Sequence, residues 1–179
     1  MWTIRVKSAE YFEVNKMNSI RSRILDLLGE DCRLPLERMA VMLGSTLTEI
    51  AQAIDDMEKE RIILGYHPVV DWDKTDRQRV EAMIEVKVTP QRDYGFDDTA
   101  KRIYGFEEVQ SVFLMSGTYD LLVQVEAPTL KELALFVSSK LSILETVNAT
   151  STSFVLKRYK QDGVIFEGDS RDKRLVVSP

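Results

Sequence analysis

Residues 46–61 combine helical periodicity with polar side chains that could read the base edges of double-stranded DNA. A Gln side chain can pair with adenine, and a Glu can accept a hydrogen bond from the amino group of cytosine. Arg38, a little earlier in the chain, could bind a phosphate. The candidate base-reading residues cluster where the segment begins: Thr46, Thr48, Glu49 and Gln52.

The charge of this segment argues against tight DNA binding. Residues 48–61 carry five acidic side chains against two basic ones. A carboxylate near a phosphate is repulsive, and salt screens that repulsion only in part. Two interpretations stay open: a base-reading helix with specific contacts at its start, or a solvated acidic face on which Glu49 only caps the helix with Thr46. In either case we expect binding that is weaker and more salt-limited than a basic helix would give.

Two further helices are predicted before this one, each with an apolar stripe at helical spacing. Gly44 interrupts the pattern between the second and third helices. A helix followed by two helices joined through a tight turn is the trihelical helix-turn-helix unit, here predicted as a winged domain over residues 18–65. The stripes are Ile20, Ile24, Leu27 and Leu28, then Leu36, Met39, Ala40 and Leu43, then Leu47, Ile50, Ile54 and Met57.

A module of a different kind is predicted over residues 80–161. The order strand, helix, strand, strand, helix, strand indicates a ferredoxin-like βαββαβ arrangement, with both helices on one face of the sheet. The chain is therefore expected to be α+β. The predicted strands are 80–88, 109–115, 121–126 and 147–159, and the predicted helices are 97–104 and 129–144.

The remaining segments are predicted as connections and tails. Residues 66–79 are predicted as a linker, because strand-like residues up to Trp72 precede a polar, hinge-like stretch. Residues 1–17 are an N-terminal tail, whose possible pairing as a strand is left open. Residues 162–179 are a C-terminal tail.

The sheet face away from the helices is expected to carry apolar side chains. Met83 and Leu122 fall on that face, joined either by Phe113 and Met115 or by Val112 and Leu114. An uncovered apolar sheet face favours self-association. The alternative is a few tolerated exposed side chains.

The composition argues against several classes of protein. The net charge is −5, and Cys32 is the single cysteine, which fits a reducing, cytoplasmic compartment. No apolar run approaches the length of a membrane span. One His and one Cys cannot form the usual nitrogen and sulfur metal site, and no catalytic motif or phosphate-binding glycine loop occurs. We therefore expect a protein that is not an enzyme and uses no metal or cofactor.

Four motifs carry a resemblance to a known family: residues 24–28 in the first helix, 36–40 in the second, 61–66 after the third, and 112–122 in the second module. The last contains Gly117-Thr118-Tyr119-Asp120 followed by apolar residues. Together they resemble the leucine-responsive and asparagine-responsive (Lrp/AsnC) transcriptional regulators over roughly residues 18–161. The third helix departs from the family pattern, because this helix is usually basic in the family and is acidic here.

The resemblance implies a DNA-binding regulator that pairs sheet to sheet into a homodimer, assembles further, and binds an amino acid near the turn before the third strand. In that turn Asp120 could hold an α-ammonium and backbone N–H groups near Gly117 a carboxylate. The alternative is a β-turn in which Asp120 only bonds the backbone. The effector residues carried over are Ser116, Gly117, Thr118, Tyr119 and Asp120, with Thr150 and Thr152 as weaker candidates.

Two other functions have the same architecture. One is a ligand-sensing or assembly protein that binds DNA weakly or not at all, which the acidic third helix favours. The other is an enzyme of haem metabolism, for which His67 would serve the tetrapyrrole. A His beside a Pro in a linker is more often a surface residue, so this enzyme is the less favoured alternative.

Overall fold

The structure, a computed structural model, describes residues 19–89 and 95–166. The chain divides into two compact units between Pro68 and Val69. The predicted N-terminal tail, residues 1–17, lies outside the described residues, as do residues 167–179 of the predicted C-terminal tail.

The first unit contains three helices: α1 covers residues 19–30, α2 is Leu36–Leu43, and α3 is Leu47–Lys59. Gly44 ends α2 in the left-handed conformation, with φ 63°, where a residue without a Cβ is favoured. The predicted capping box begins α3: Thr46 accepts from the Glu49 N–H, and the Glu49 carboxylate accepts from the Thr46 N–H. The buried core is formed by Ile24, Met39, Ala40, Ile50, Ala53 and Met57.

Two details of this unit differ from the sequence prediction. Leu47 is 44% exposed, because the buried stripe of α3 is centred on Ile50, Ala53 and Met57 and Leu47 lies at its edge. Residues 64–71 form no strand, and a single 3-10 turn, Trp72–Lys74, follows them. An extended segment becomes a strand only when another backbone pairs with it, and no described residue pairs with this one.

The second unit has the predicted βαββαβ order. Its elements are β1 (Val80–Val88), α4 (Asp97–Tyr104), β2 (Val109–Leu114), β3 (Leu121–Ala127), α5 (Leu130–Phe136) and β4 (Val147–Phe154). The four strands form an antiparallel sheet in the order β2-β3-β1-β4. A π-helical turn, Val137–Leu141, continues α5.

Alternation along the two central strands builds the core of this unit. Every second residue of β1 from Ala82 to Val88, and of β3 from Leu121 to Ala127, is buried. Side chains at these positions share one face of the sheet, because successive strand residues point to opposite faces. Ile103, Leu133, Phe136 and Leu141 pack against that face from the helical layer. The opposite face of the sheet carries the remaining, alternate residues.

The apolar spacing of the two helices predicts Tyr104, Leu130 and Ala134 as core residues and does not select Phe136, and the last strand is predicted to reach Tyr159. The structure corrects these expectations. Tyr104 and Leu130 are 59% and 56% exposed and Ala134 is exposed, while Phe136, which the pattern did not select, is buried. The last strand ends at Phe154 rather than Tyr159. Beyond it a short hairpin forms from β5 (Lys160–Gln161) and β6 (Val164–Ile165). Its Asp162-Gly163 turn has φ values of 47° and 82°, which are the values that a two-residue hairpin turn requires.

Candidate functional site

The loop between β2 and β3 is fixed to the end of β1 by Asp120. The Met115 N–H donates to the Asp120 carbonyl at 2.8 Å, and this bond encloses the four loop residues 116–119. The Asp120 N–H donates to the Val86 carbonyl at 3.1 Å. Its carboxylate Oδ2 accepts from the Val88 N–H at 2.8 Å. Asp120 therefore holds the loop through backbone bonds, which is the structural alternative that the sequence left open.

A cavity of about 280 Å³ lies beside this loop. One wall of the cavity is formed by β1 and β4. Glu85 pairs with Ser151 and Lys87 with Ala149, so these four residues share the sheet face that the helices leave uncovered. The loop contributes Thr118 and Tyr119 at its side. The full lining is Glu85, Lys87, Thr118, Tyr119, Ala149, Thr150 and Ser151.

The structure brings together part of the predicted effector site. Thr118 and Tyr119 line the cavity. Thr150 also borders it, but Thr150 pairs with Val86, so its side chain lies on the helix-covered side, where its hydroxyl is 3.5 Å from Ser142 Oγ. Ser116 and Gly117 are exposed on the same loop but do not line the cavity, and Thr152 pairs with Ile84 on the helix-covered side.

Sequence reasoning missed the two charged residues of the cavity, Glu85 and Lys87. The alternation of β1 already placed both on the uncovered face. The missing information was the register that lays β4 beside them. The cavity thus combines one carboxylate, one ammonium and several hydroxyls. Since the two charged residues are two apart in one strand, they lie about 7 Å apart along it.

The uncovered face also carries an apolar group, and register decides its members. Phe113 pairs with Leu122, which places Phe113 on the uncovered face, whereas Val112 pairs with Val123 and packs against the core. Phe113 is 51% exposed and Met115 37%. Met83 lies on the same face, since it pairs with Gln124 and Ser153, and it is half-buried. Of the two predicted sets, the structure selects the one with Phe113.

In the first unit, the outward side of α3 contains two of the predicted base-reading residues, Thr48 and Gln52. Successive helical residues are rotated by about 100°, so the positions opposite the buried stripe are Thr48, Gln52, Asp55 and Lys59. Thr46 and Glu49 are occupied in the capping box, where Glu49 Oε2 also accepts from Ser45 Oγ at 2.6 Å. Gln52 Nε2 donates to Asp56 Oδ1 at 2.8 Å. Arg38 is exposed on α2.

The acids in the second half of α3 have partners within the same unit. Lys59 Nζ lies 2.5 Å from Asp55 Oδ2. Arg21 of α1 donates to both carboxylate oxygens of Glu60 at 2.9 Å and lies 3.8 Å from Asp56. The Glu60 hydrogen bonds raise the pKa of Arg21 above its usual value. The Tyr66 hydroxyl donates to Glu58 at 2.8 Å. Asp56 therefore belongs to the side of α3 that faces α1.

Similarity to known proteins identifies the family. An HTH-type transcriptional regulator of Bacillus subtilis (strain 168), YugG, is 48% identical over 165 residues, which is 92% of this chain and 99% of that protein. Residues 81–165 match the Lrp/AsnC ligand binding domain. The chain belongs to the Lrp/AsnC family of transcriptional regulators. Members of this family are regulators and not enzymes, and they join a helix-turn-helix domain to a C-terminal ligand-binding domain.

Solved structures of transcriptional regulators confirm the predicted fold. A transcriptional regulator of Neisseria meningitidis in complex with L-Met superposes with a TM-score of 0.65 at 23% identity, covering 79% of this chain and 91% of that chain. AsnC of E. coli superposes with a TM-score of 0.63 at 18% identity, covering 80% and 94%. Across residues 19–89 and 95–166, no helix is long and apolar enough to cross a membrane.

Proposed function

We propose that this Lrp/AsnC regulator binds double-stranded DNA through α3 and responds to an amino-acid-like zwitterion bound in the cavity beside residues 116–120. The observation that carries the effector class is the pair of opposite charges in that cavity, Glu85 and Lys87, next to the loop. A ligand with both an ammonium and a carboxylate satisfies both charges at once, whereas a purely cationic or anionic ligand leaves one repulsive contact.

The geometry suggests a role for each part of the cavity. Glu85 takes the α-ammonium and Lys87 the α-carboxylate, as charge-assisted hydrogen bonds. Hydroxyls of Thr118 and Ser151 supply further donors and acceptors. Asp120 positions the loop through Val86 and Val88 and does not itself meet the ammonium. The regulator of Neisseria meningitidis, solved with L-Met, supports an α-amino acid as the ligand class.

For DNA, the exposed outward residues of α3 are the proposed readers. Thr48 and Gln52 are proposed to contact base edges, and Gln52 must release Asp56 before it can pair with adenine. Arg38 is the proposed phosphate contact. Thr46 and Glu49 serve the helix start as caps, which removes them from base reading. A helix-turn-helix regulator reads two half-sites as a dimer. The uncovered sheet face with Phe113 is the proposed surface of that dimer, because it carries exposed apolar side chains.

A thermal-shift screen tests the effector class. We expect at least one L-amino acid at millimolar concentration to raise the melting temperature, since a ligand at about 100 times its Kd adds roughly 2.7 kcal/mol of stability. Each charge of the cavity contributes a charge-assisted bond worth about 1.5–3 kcal/mol. Glu85→Gln and Lys87→Gln should therefore each weaken binding by roughly tenfold or more.

The matched control is Lys101→Gln, which removes an exposed lysine from α4, away from the cavity. It should leave the ligand-induced shift unchanged. A shift that survives both cavity variants would place the ligand elsewhere. The absence of a shift with every amino acid would reject the effector proposal and favour an assembly role for the module.

A further inference from the structure

The outward row of α3 contains one acid and one base, and they are joined to each other. Lys59 Nζ lies 2.5 Å from Asp55 Oδ2, one helical turn apart. The two side chains are 69% and 50% exposed, so this ion pair lies at the surface. Surface pairs of this kind contribute little to folding stability. The pair lies on the side of α3 that is proposed to read DNA.

We propose that Asp55 is a specificity-determining residue that suppresses sequence-independent DNA binding by holding Lys59 away from phosphates. This inference rests on the proposed reading of DNA by α3, and it adds that Asp55 limits the sequence-independent part of that binding. Lys59 is the single base among the four outward residues, and it must leave Asp55 to bind a phosphate. Base reading then depends on the uncharged Thr48 and Gln52.

The neighbouring acid, Asp56, provides a comparison within the same helix. Asp56 carries the same charge one residue further along, but it lies 3.8 Å from Arg21 of α1 and accepts a hydrogen bond from Gln52. Lys59 forms its hydrogen bond and ion pair with Asp55, and Asp56 exerts only a weaker Coulombic attraction on it. Asn at this position still accepts from Gln52, and Arg21 keeps its two bonds to Glu60. Asp56→Asn is thus a matched control for Asp55→Asn.

The salt dependence of DNA binding distinguishes a Lys59 that has left Asp55 and contacts a phosphate from a general change in the charge of α3. Each phosphate that a protein neutralises releases condensed counterions and steepens the plot of log K against log salt by about 0.9. A Lys59 released from Asp55 adds one such contact. Sequence-independent binding rests almost wholly on phosphate contacts, so it gains more than specific binding and the ratio between them falls.

The test uses the full chain, a random-sequence DNA duplex and salt from about 50 to 200 mM. The variants are Asp55→Asn, Asp56→Asn, Lys59→Gln and the double variant Asp55→Asn with Lys59→Gln. We expect Asp55→Asn to bind the duplex on the order of fivefold more tightly at the low-salt end, with a slope steeper by about 0.9. Asp56→Asn should keep the wild-type slope, Lys59→Gln should change it little, and the double variant should lose the gain.

Two results would overturn the inference. One is an Asp55→Asn slope equal to that of the wild type, and the other is a gain that persists in the Lys59→Gln background. Absence of binding by all the variants at low salt would instead reject DNA reading by α3 itself. Because Asp55 and Lys59 are exposed, circular dichroism should show the same helix content in every variant.

Discussion

Asp120→Ala should lower the free energy of unfolding of the C-terminal module by about 1–3 kcal/mol and abolish its response to the effector. The truncation leaves the Val88 N–H without its carboxylate acceptor, and an unsatisfied partly buried donor costs free energy on this scale. The loop then loses its attachment to β1, so Thr118 and Tyr119 no longer hold their places beside the cavity. Denaturant unfolding measures the first effect and a ligand titration the second.

Asp120→Asn is the variant that separates positioning from direct ligand contact. Asn has almost the same shape and its amide oxygen can still accept from Val88, but it carries no charge. If Asp120 positions the loop, this variant should keep most of the stability and the ligand affinity. A stable Asp120→Asn protein that has lost its effector response would show that the carboxylate binds the ammonium directly, and would contradict the positioning role.

Phe113→Glu should convert a self-associating protein into a monomer. Phe113 is 51% exposed on the uncovered sheet face and pairs there with Leu122, and Met83 lies on the same face. A charge at the centre of an apolar association surface would have to be buried without a partner, which is strongly unfavourable. Light scattering at micromolar concentration should show a dimer or larger for the wild type and a monomer for the variant.

Tyr104→Glu is the matched control for this prediction. Tyr104 is 59% exposed and also aromatic, but it lies on α4, in the layer on the other side of the sheet. The control should keep the wild-type mass. A wild-type chain that is itself monomeric, or a Phe113→Glu variant that remains a dimer, would show that the uncovered face is not the association surface.

Periodicity predicted the elements of the fold well because their cores follow simple patterns. The alternation from Val80 to Val88 identified the buried side of β1. It failed at the last strand, where strand-like residues continue to Tyr159 although the chain leaves the sheet after Phe154. The Asp162-Gly163 pair was a readable signal for the hairpin that follows. Phe136, which the helical spacing did not select, is buried in the core of the module and meets Phe106 edge to face at 5.6 Å between ring centroids.

The candidate sites were predictable only where they are local in sequence. The loop residues Thr118 and Tyr119 were found from the motif that contains them. Glu85 and Lys87 meet β4 only through strand register, which a single sequence does not contain. The acidity of α3 was readable from the sequence, but its partial compensation was not. Its compensation by Arg21 joins residues that are 39 positions apart and depends on how α1 packs against α3.

The most direct test of the account is a selection from random-sequence DNA with the purified full chain, carried out with and without the twenty amino acids. The account predicts an enriched sequence with two related half-sites, and a change in its enrichment or affinity when the amino acids are present. Enrichment that is identical in both conditions would contradict effector control. A failure to enrich any sequence at low salt would contradict DNA reading by α3.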